Sequence, residues 1–198
     1  MTTHERAPLT IPVVLGSVRP NRLSERPAHL LVERVEAAGA RSELIDLRAL
    51  DLPSYGQDPV AASGPAIVGM REALDRADAV VWLTPEYNHS FSAAVKSAID
   101  YLHGELRRKP MLVCGLSGGQ LGGVRAVEHL KLVLIELHGV PIRDSVYFSD
   151  ARNMYDEAGG LLKPKFTRRA DEAIAELIWY ARSLRWGREN VPLPVKER

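Results

Sequence analysis

The chain has 198 residues, of which 45% are hydrophobic and 26% are charged, so it can bury the core of one α/β domain. Lys and Arg number 26 against 25 Asp and Glu, giving a formal net charge of +1. This balance argues against a nucleic-acid-binding protein, and also against an acidic carrier that attracts its partners through a strong negative field.

The cysteine and histidine content excludes several further classes of site. Cys114 is the single cysteine, so the chain can form neither an internal disulfide nor a cysteine cluster for zinc or iron and sulfur. The 6 histidines show no metal-ligand spacing, and no metal site is predicted. The first eight residues lack the apolar segment of a signal peptide, and the apolar runs are only strand-sized. We therefore expect a cytoplasmic protein without membrane spans.

Short apolar runs alternate along the chain with longer segments of helical period. Strands are predicted at residues 11–15, 42–47, 79–83, 111–116 and 141–148. Amphipathic helices are predicted at residues 28–38, 66–77, 91–102, 127–137 and 170–184. Because parallel strands need such helical crossovers, the alternation predicts a parallel sheet with helices on both faces.

Capping residues and prolines predict the limits of these elements. Ser90 is expected to cap the third helix, and Gly187 is expected to end the last helix. The segment 53–65 contains three prolines and two glycines and is predicted to be a loop. The chain is thus interpreted as a single domain over residues 9–187, with loose termini at 1–8 and 188–198.

The segment after the first strand is equipped to bind a phosphate. Residues 16–24 read GSVRPNRLS and combine a glycine, two hydroxyls and two guanidiniums with the free amides of a helix start. No Gly-x-x-x-x-Gly-Lys loop and no Gly-x-Gly-x-x-Gly fingerprint is present, which favours a mononucleotide over a nucleoside triphosphate or a dinucleotide. The alternative is an arginine-rich helix start that is merely solvated.

Two more unusual loops follow the third and fourth strands. Residues 84–90, TPEYNHS, combine a stiff proline with a tyrosine and an asparagine, which suits a planar heterocycle. Residues 117–123, SGGQLGG, contain four glycines, which allow a ligand close to the backbone. An ordinary turn before a helix and a flexible spacer are the respective alternatives. Since ligands of open parallel sheets bind beyond the carboxyl ends of the strands, all three loops are expected to converge there.

The same three motifs resemble the NADPH-dependent FMN reductases of flavodoxin-like fold, a family that includes bacterial quinone and chromate reductases. The resemblance rests on GSVRPNRLS at 16–24, TPEYNHSFSAAVKSAIDYL at 84–102 and SGGQLGG at 117–123, and it covers about residues 10–150. It implies a three-layer α/β sandwich whose five parallel strands have the order 2-1-3-4-5.

The resemblance also implies a set of cofactor-binding residues. The FMN-phosphate loop corresponds to Ser17, Arg19, Arg22, Leu23 and Ser24. The loop along the isoalloxazine edge corresponds to Pro85, Glu86, Tyr87 and Asn88, and the glycine loop near the ring corresponds to Ser117, Gly118, Gly119 and Gly122. Many members have a serine and an asparagine where this chain has Arg22 and Ser24, so Arg19 is the stronger phosphate candidate.

In such an enzyme NAD(P)H donates a hydride to bound FMN, and a quinone, azo compound or free flavin is the acceptor. No protein nucleophile or base is needed for this transfer, so no catalytic residue is predicted. The resemblance further favours a homodimer or homotetramer. The alternatives are a flavodoxin-type electron carrier and a non-catalytic flavin-binding module on the same fold.

Overall fold

The computed structural model describes residues 7–57 and 60–192. Its five strands are β1 (Val13–Leu15), β2 (Leu44–Asp46), β3 (Val80–Pro85), β4 (Pro110–Leu116) and β5 (Val140–Phe148). Its helices are α1 (Glu25–Ala37), α2 (Leu47–Leu50), α3 (Pro65–Arg76), α4 (Ala93–Asp100), α5 (Val124–Glu136) and α6 (Lys165–Asn190). Two single turns of 3₁₀ helix occur at Ala61–Ser63 and Ala151–Asn153.

All five strands are parallel and have the order β2-β1-β3-β4-β5, which confirms the predicted flavodoxin-like topology. Successive side chains of a strand point to opposite faces of the sheet, so each central strand serves two cores. Val13 and Leu15 pack in the core beneath α1 and α6, whereas Val14 packs in the opposite core with α3, α4 and α5. The molecule is therefore a three-layer α/β/α sandwich.

Every strand limit lies within two residues of its predicted position. β1 is shorter than predicted, because Pro12 has no backbone N–H to give to a neighbouring strand and the ladder begins only at Val13. β3 is longer, and its last residue is Pro85, which was expected in the following loop. The helix α2 was not predicted. It is a single turn whose N-cap, Asp46, accepts a hydrogen bond from the Arg48 amide.

The predicted end of the last helix is wrong. α6 does not stop at Gly187 but continues to Asn190. The Arg188 guanidinium donates to the carbonyl oxygen of Arg108 at 2.8 Å and lies 3.5 Å from the Asp78 carboxylate, and these contacts anchor the final turn. Residues 1–6 and 193–198, which make up most of the expected loose termini, lie outside the described part of the chain.

Candidate functional site

A cavity of about 400 Å³ lies beyond the carboxyl ends of β1, β3 and β4. The strand order reverses between β1 and β3, and such a switch point is where open α/β sheets bind ligands. We call this space the three-loop cavity. It is lined by Ser17, Arg19, Pro20, Asn21, Arg22, Leu23, Ser24, Pro85, Glu86, Tyr87, Leu116, Ser117, Gly118 and Arg152.

The structure brings together ten of the thirteen residues expected to bind the cofactor. All five residues of the first loop line the cavity, together with Pro85, Glu86, Tyr87, Ser117 and Gly118. Three expected residues are not in its lining: Asn88, Gly119 and Gly122. The three segments that the sequence placed at one edge of the sheet therefore form one concave surface.

Ser24 differs from the other residues of the first loop in having a buried side-chain hydroxyl without a hydrogen-bond partner among the described residues. It is the N-cap of α1, yet its hydroxyl makes no capping hydrogen bond. A buried hydroxyl without a partner is costly, and a phosphate at the start of α1 would supply an acceptor for it and for the free helix amides.

The two arginines of the first loop have different environments. Arg19 is exposed, and its guanidinium lies 5.8 Å from the centre of the Tyr87 ring. The Arg22 side chain is only 5% exposed. Its guanidinium donates to the Asp46 carboxylate at 2.6 Å and to the Ser17 carbonyl oxygen at 2.8 Å. Arg19 is therefore free to meet an anion, while Arg22 ties the loop to the end of β2.

Electrostatics strengthens the pair formed by Arg22 and Asp46. The hydrogen bond that Arg22 donates to Asp46 raises the pKa of Arg22 above its usual value despite the opposing effect of burial. Burial also opposes ionisation of Asp46, but the hydrogen bonds from Arg22 and from the Arg48 amide together outweigh it and lower the pKa of Asp46. Both groups are accordingly charged at neutral pH.

Tyr87 joins the first loop to the loop after β3. Its hydroxyl lies 3.0 Å from the Ser17 Oγ, within hydrogen-bonding distance. Asn88 and His89 both have positive φ, and the backbones of Tyr87 and Ser90 hydrogen-bond to each other in both directions. This arrangement is a tight two-residue turn with two left-handed residues, a conformation that asparagine tolerates better than most residues. Asn88 thus shapes the turn that presents Tyr87.

The turn also explains why the predicted helix cap is wrong. Ser90 is held in the turn by its backbone bonds to Tyr87, so it cannot cap α4. Ser92 is the N-cap instead, and its hydroxyl accepts a hydrogen bond from the Val95 amide at 3.3 Å. The same hydroxyl donates to the Gly16 carbonyl oxygen at 2.6 Å. The cap therefore also fixes the beginning of the first loop.

Glu86 connects the cavity wall to the start of α5. Its carboxylate accepts hydrogen bonds from the Arg125 amide and from the Arg125 guanidinium, both at 3.2 Å. An acidic side chain at a helix N-terminus is favourably placed with respect to the helix dipole. The Glu86 amide donates to the Leu116 carbonyl oxygen, which holds the end of β3 beside the end of β4.

The four glycines of the loop after β4 fall into two pairs. A Cβ atom added to Gly118 meets no atom within 4 Å, and one added to Gly119 meets only the Ser117 Oγ at 3.9 Å. Gly122 and Gly123 have positive φ, and an added Cβ lies 2.7 Å from backbone atoms of Tyr147 and of Leu116, respectively. Both members of the first pair face open space, and Gly118 does so in the lining of the cavity, whereas the second pair allows the loop to pack on β4 and β5.

Arg152 is the cationic residue of the cavity that sequence reasoning missed. It lies in the 3₁₀ turn after β5, and that segment had not been considered because it contains no glycine-rich or proline-rich motif. The predicted strand at 141–148 could have indicated it, because the carboxyl end of β5 lies at the same edge of the sheet as those of β1, β3 and β4.

The single cysteine lies outside the three-loop cavity. Cys114 is fully buried in β4, and burial raises the pKa of its thiol to about 12. Within residues 7–57 and 60–192, no three His, Cys, Asp or Glu side chains are grouped so that they could hold a metal ion. No helix in the described part of the chain is long and apolar enough to cross a membrane.

The chain is similar in sequence to proteins of known activity. An NAD(P)H-dependent FMN reductase of Pseudomonas aeruginosa is 33% identical over 153 residues, covering 74% of this chain and 82% of the relative. A quinone reductase of Escherichia coli is 30% identical over 172 residues, covering 84% of this chain and 85% of the relative.

The structure is similar to that of a flavoenzyme NAD(P)H:(acceptor) oxidoreductase from Paracoccus denitrificans, with a TM-score of 0.73 and 25% sequence identity. The similarity covers 88% of this chain and 98% of that one. The family model described as NADPH-dependent FMN reductase matches residues 9–153, which include all five strands and the three loops of the cavity. The chain belongs to the NADPH-dependent FMN reductase family.

Proposed function

We propose that the three-loop cavity binds FMN and that the enzyme passes reducing equivalents from NAD(P)H to a quinone. Family membership makes the chain an FMN-dependent NAD(P)H oxidoreductase. The position of the cofactor, the residues that hold it and the class of acceptor are the proposed parts. A quinone is favoured because the Escherichia coli relative is a quinone reductase. Azo compounds and free flavins are further candidates for the acceptor.

The observation that carries the proposal is the unpartnered Ser24 hydroxyl at the start of α1. Together with Ser17 and Arg19 it provides hydrogen-bond donors and a positive charge for one phosphate. Tyr87 and the open backbone at Gly118 leave room and a flat surface for the flavin ring at the other side of the cavity. The three expected residues outside the lining, Asn88, Gly119 and Gly122, then contribute by setting the course of the loops that form the cavity.

FMN, when bound, supplies the chemistry by accepting hydride from the nicotinamide and passing reducing equivalents to the acceptor. The protein residues bind and orient the cofactor, and none of them needs to exchange a proton with substrate during hydride transfer. No catalytic residue is therefore assigned. His89 lies in the tight turn after β3 and Cys114 is buried in the sheet, so neither is placed as a reacting group.

A flavodoxin-type electron carrier is the alternative of another class. The balanced charge of the chain disfavours it, because such carriers meet their partners through a strong field. A non-catalytic flavin-binding module is the second alternative. Purified protein that binds FMN but does not oxidise NAD(P)H would support one of these two alternatives over the proposed enzyme.

The decisive experiment is anaerobic titration of the FMN-loaded protein with NADPH and NADH, followed by a panel of quinone and azo acceptors. We expect bleaching of the flavin absorbance by NAD(P)H and its recovery with a quinone. If donor and acceptor use the same flavin face in succession, double-reciprocal plots give parallel lines. Absence of bleaching in a protein that holds FMN would contradict the proposed activity.

We also propose a cytoplasmic location and a homodimer or homotetramer. The single, buried thiol suits a reducing compartment. On α5, Leu132 and Ile135 are 68% and 57% exposed, and adjacent apolar side chains at the surface are typical of subunit contacts. Sedimentation equilibrium of the wild-type protein and of an Ile135→Glu variant tests the assembly, with a smaller species expected for the variant.

A further inference from the structure

A second cavity of about 530 Å³ lies between the first turns of α1 and the segment after β5. We call it the basic cavity. Its volume is within the range of small-ligand sites, which is roughly 300–1,000 Å³. Arg26 and His29 line it from α1, and Arg152 and Tyr155 line it from the opposite side.

The basic cavity adjoins the phosphate end of the three-loop cavity. Arg22, Leu23 and Arg152 line both spaces. These residues lie at the end of the first loop and in the turn after β5, next to Ser24 and the start of α1. A ligand that extends beyond the phosphate of a bound mononucleotide can therefore enter the basic cavity.

The charges in the basic cavity favour an anion. Arg26 and Arg152 are exposed, and neither forms an ion pair with a carboxylate within the described residues. Glu25 is the one carboxylate in the lining, and it lies 3.6 Å from the Arg22 Nε. Two unpaired guanidiniums thus face a single carboxylate that already has a cationic neighbour, so a phosphate is attracted.

Tyr155 adds a surface that suits a nucleobase. The Arg26 guanidinium lies 5.3 Å from the centre of the Tyr155 ring, so the two flat groups are adjacent. The Tyr155 Oη is buried without a hydrogen-bond partner among the described residues. Aromatic rings and guanidinium planes are the groups on which bases stack, so the Tyr155 ring and the Arg26 guanidinium together offer a stacking surface.

We propose that the basic cavity is a subsite for an adenosine phosphate, with the phosphate at Arg26 and Arg152 and the base beside Tyr155. This inference rests on the proposed function, because the subsite continues from the FMN phosphate. The same chemistry is present in the AMP half of FAD and in the AMP half of NAD(P)H. In the first case the enzyme accepts FAD as an alternative cofactor, and in the second the subsite contributes to binding of the reductant.

The test uses the FMN-loaded protein in two binding measurements. In the first measurement, FAD competes with bound FMN, and the amounts of the two flavins retained after rapid filtration give the ratio of their affinities. ADP is added in the second, and its binding is measured by calorimetry. If the subsite holds the AMP half of FAD, we expect FAD to bind at least as tightly as FMN. Arg26→Ala should then lower the affinity for FAD about tenfold without changing the affinity for FMN. If the subsite holds the AMP half of NAD(P)H, we expect ADP to bind to the FMN-loaded protein. Arg26→Ala should then lower the affinity for ADP by a similar factor.

Two variants control for charge and for folding. Arg143→Ala removes one positive charge from a side chain that is 97% exposed and outside both cavities, and it should change neither affinity. Arg26→Gln removes the charge of Arg26 with little change in size, and it should behave like Arg26→Ala. If Arg143→Ala lowers the affinities as much as Arg26→Ala does, the loss of one positive charge explains the result and the proposed subsite is overturned.

The inference is also overturned if Arg26→Ala changes the affinity of neither FAD nor ADP. This failure is distinguishable from failure of the proposed function. If the wild-type protein binds FMN and oxidises NAD(P)H but Arg26→Ala changes neither affinity, only the proposed subsite is contradicted. A wild-type protein that does not bind FMN loses the proposed function.

Discussion

The loop after β4 contains two glycine pairs that look alike in the sequence but have different surroundings. Gly118 and Gly119 have open space where a side chain would project, whereas Gly122 and Gly123 are packed against the backbone of the neighbouring strands. The arginines of the first loop divide in the same way, since Arg19 is exposed and Arg22 is buried against Asp46. Residue type alone therefore does not separate residues that face open space from residues that hold the loops in place.

Substitution of Gly122 is expected to have the largest effect on folding. In Gly122→Val, a β-branched residue takes a φ of +64° and its Cβ lies 2.7 Å from the Tyr147 backbone. We expect the free energy of unfolding to fall by about 3 kcal/mol, measured by urea denaturation without FMN. Gly118→Val is the matched control, and its unfolding should differ from wild type by less than roughly 0.5 kcal/mol. Equal losses in the two variants would remove the distinction between the pairs.

Asp46→Asn tests whether Arg22 has a structural role. The substitution leaves the buried guanidinium without its carboxylate, and we expect a loss of about 2 kcal/mol at pH 7. Because the pKa of Asp46 is lowered in the folded protein, the pair contributes fully above the usual Asp pKa of about 4 and is lost as the pH falls below it. The difference between wild type and Asp46→Asn should therefore shrink in acid, as followed by urea denaturation between pH 7 and pH 3. A difference that stays constant over this range would contradict the ion pair.

Gly118→Val tests the ligand side of the same loop. Its added side chain lies in the lining of the three-loop cavity, where we propose that FMN approaches the backbone. We expect FMN affinity to fall about tenfold or more, by fluorescence titration, while the protein remains folded. Unchanged FMN affinity would show that the first glycine pair is a spacer.

Tyr87→Phe should have the smallest effect. It removes the hydrogen bond between the Tyr87 hydroxyl and the Ser17 Oγ but keeps the ring beside Arg19. We expect stability to fall by about 1 kcal/mol and FMN affinity to fall by less than tenfold. A complete loss of flavin binding would instead mean that the hydroxyl contacts the cofactor directly.

The features that the sequence predicted well depend on local patterns. The strands were located because each is a short apolar run, and their order followed from the family resemblance. The converging loops followed from the rule that parallel strands present their carboxyl ends at one edge. Ten of the expected binding residues line one cavity for this reason.

The features that were missed depend on contacts between distant parts of the chain. The partner of Arg22 is 24 residues away, at the end of β2, and no local pattern links the two. α6 passes Gly187 because Arg188 is anchored by Asp78 and by the backbone of Arg108. Ser92 replaces Ser90 as the helix cap because the preceding turn closes through backbone bonds. Each of these outcomes is set by tertiary structure.

The central claim is that the first loop binds the FMN phosphate through Arg19 and Ser24, with Arg22 acting as a support. The most direct test compares the affinities of FMN and riboflavin for the wild-type protein and for Arg19→Ala, by fluorescence titration. We expect the wild type to prefer FMN strongly and Arg19→Ala to lose about 1.5–3 kcal/mol of FMN binding, with riboflavin affinity and stability without flavin little changed. Equal affinities of the wild type for FMN and riboflavin would contradict the claim.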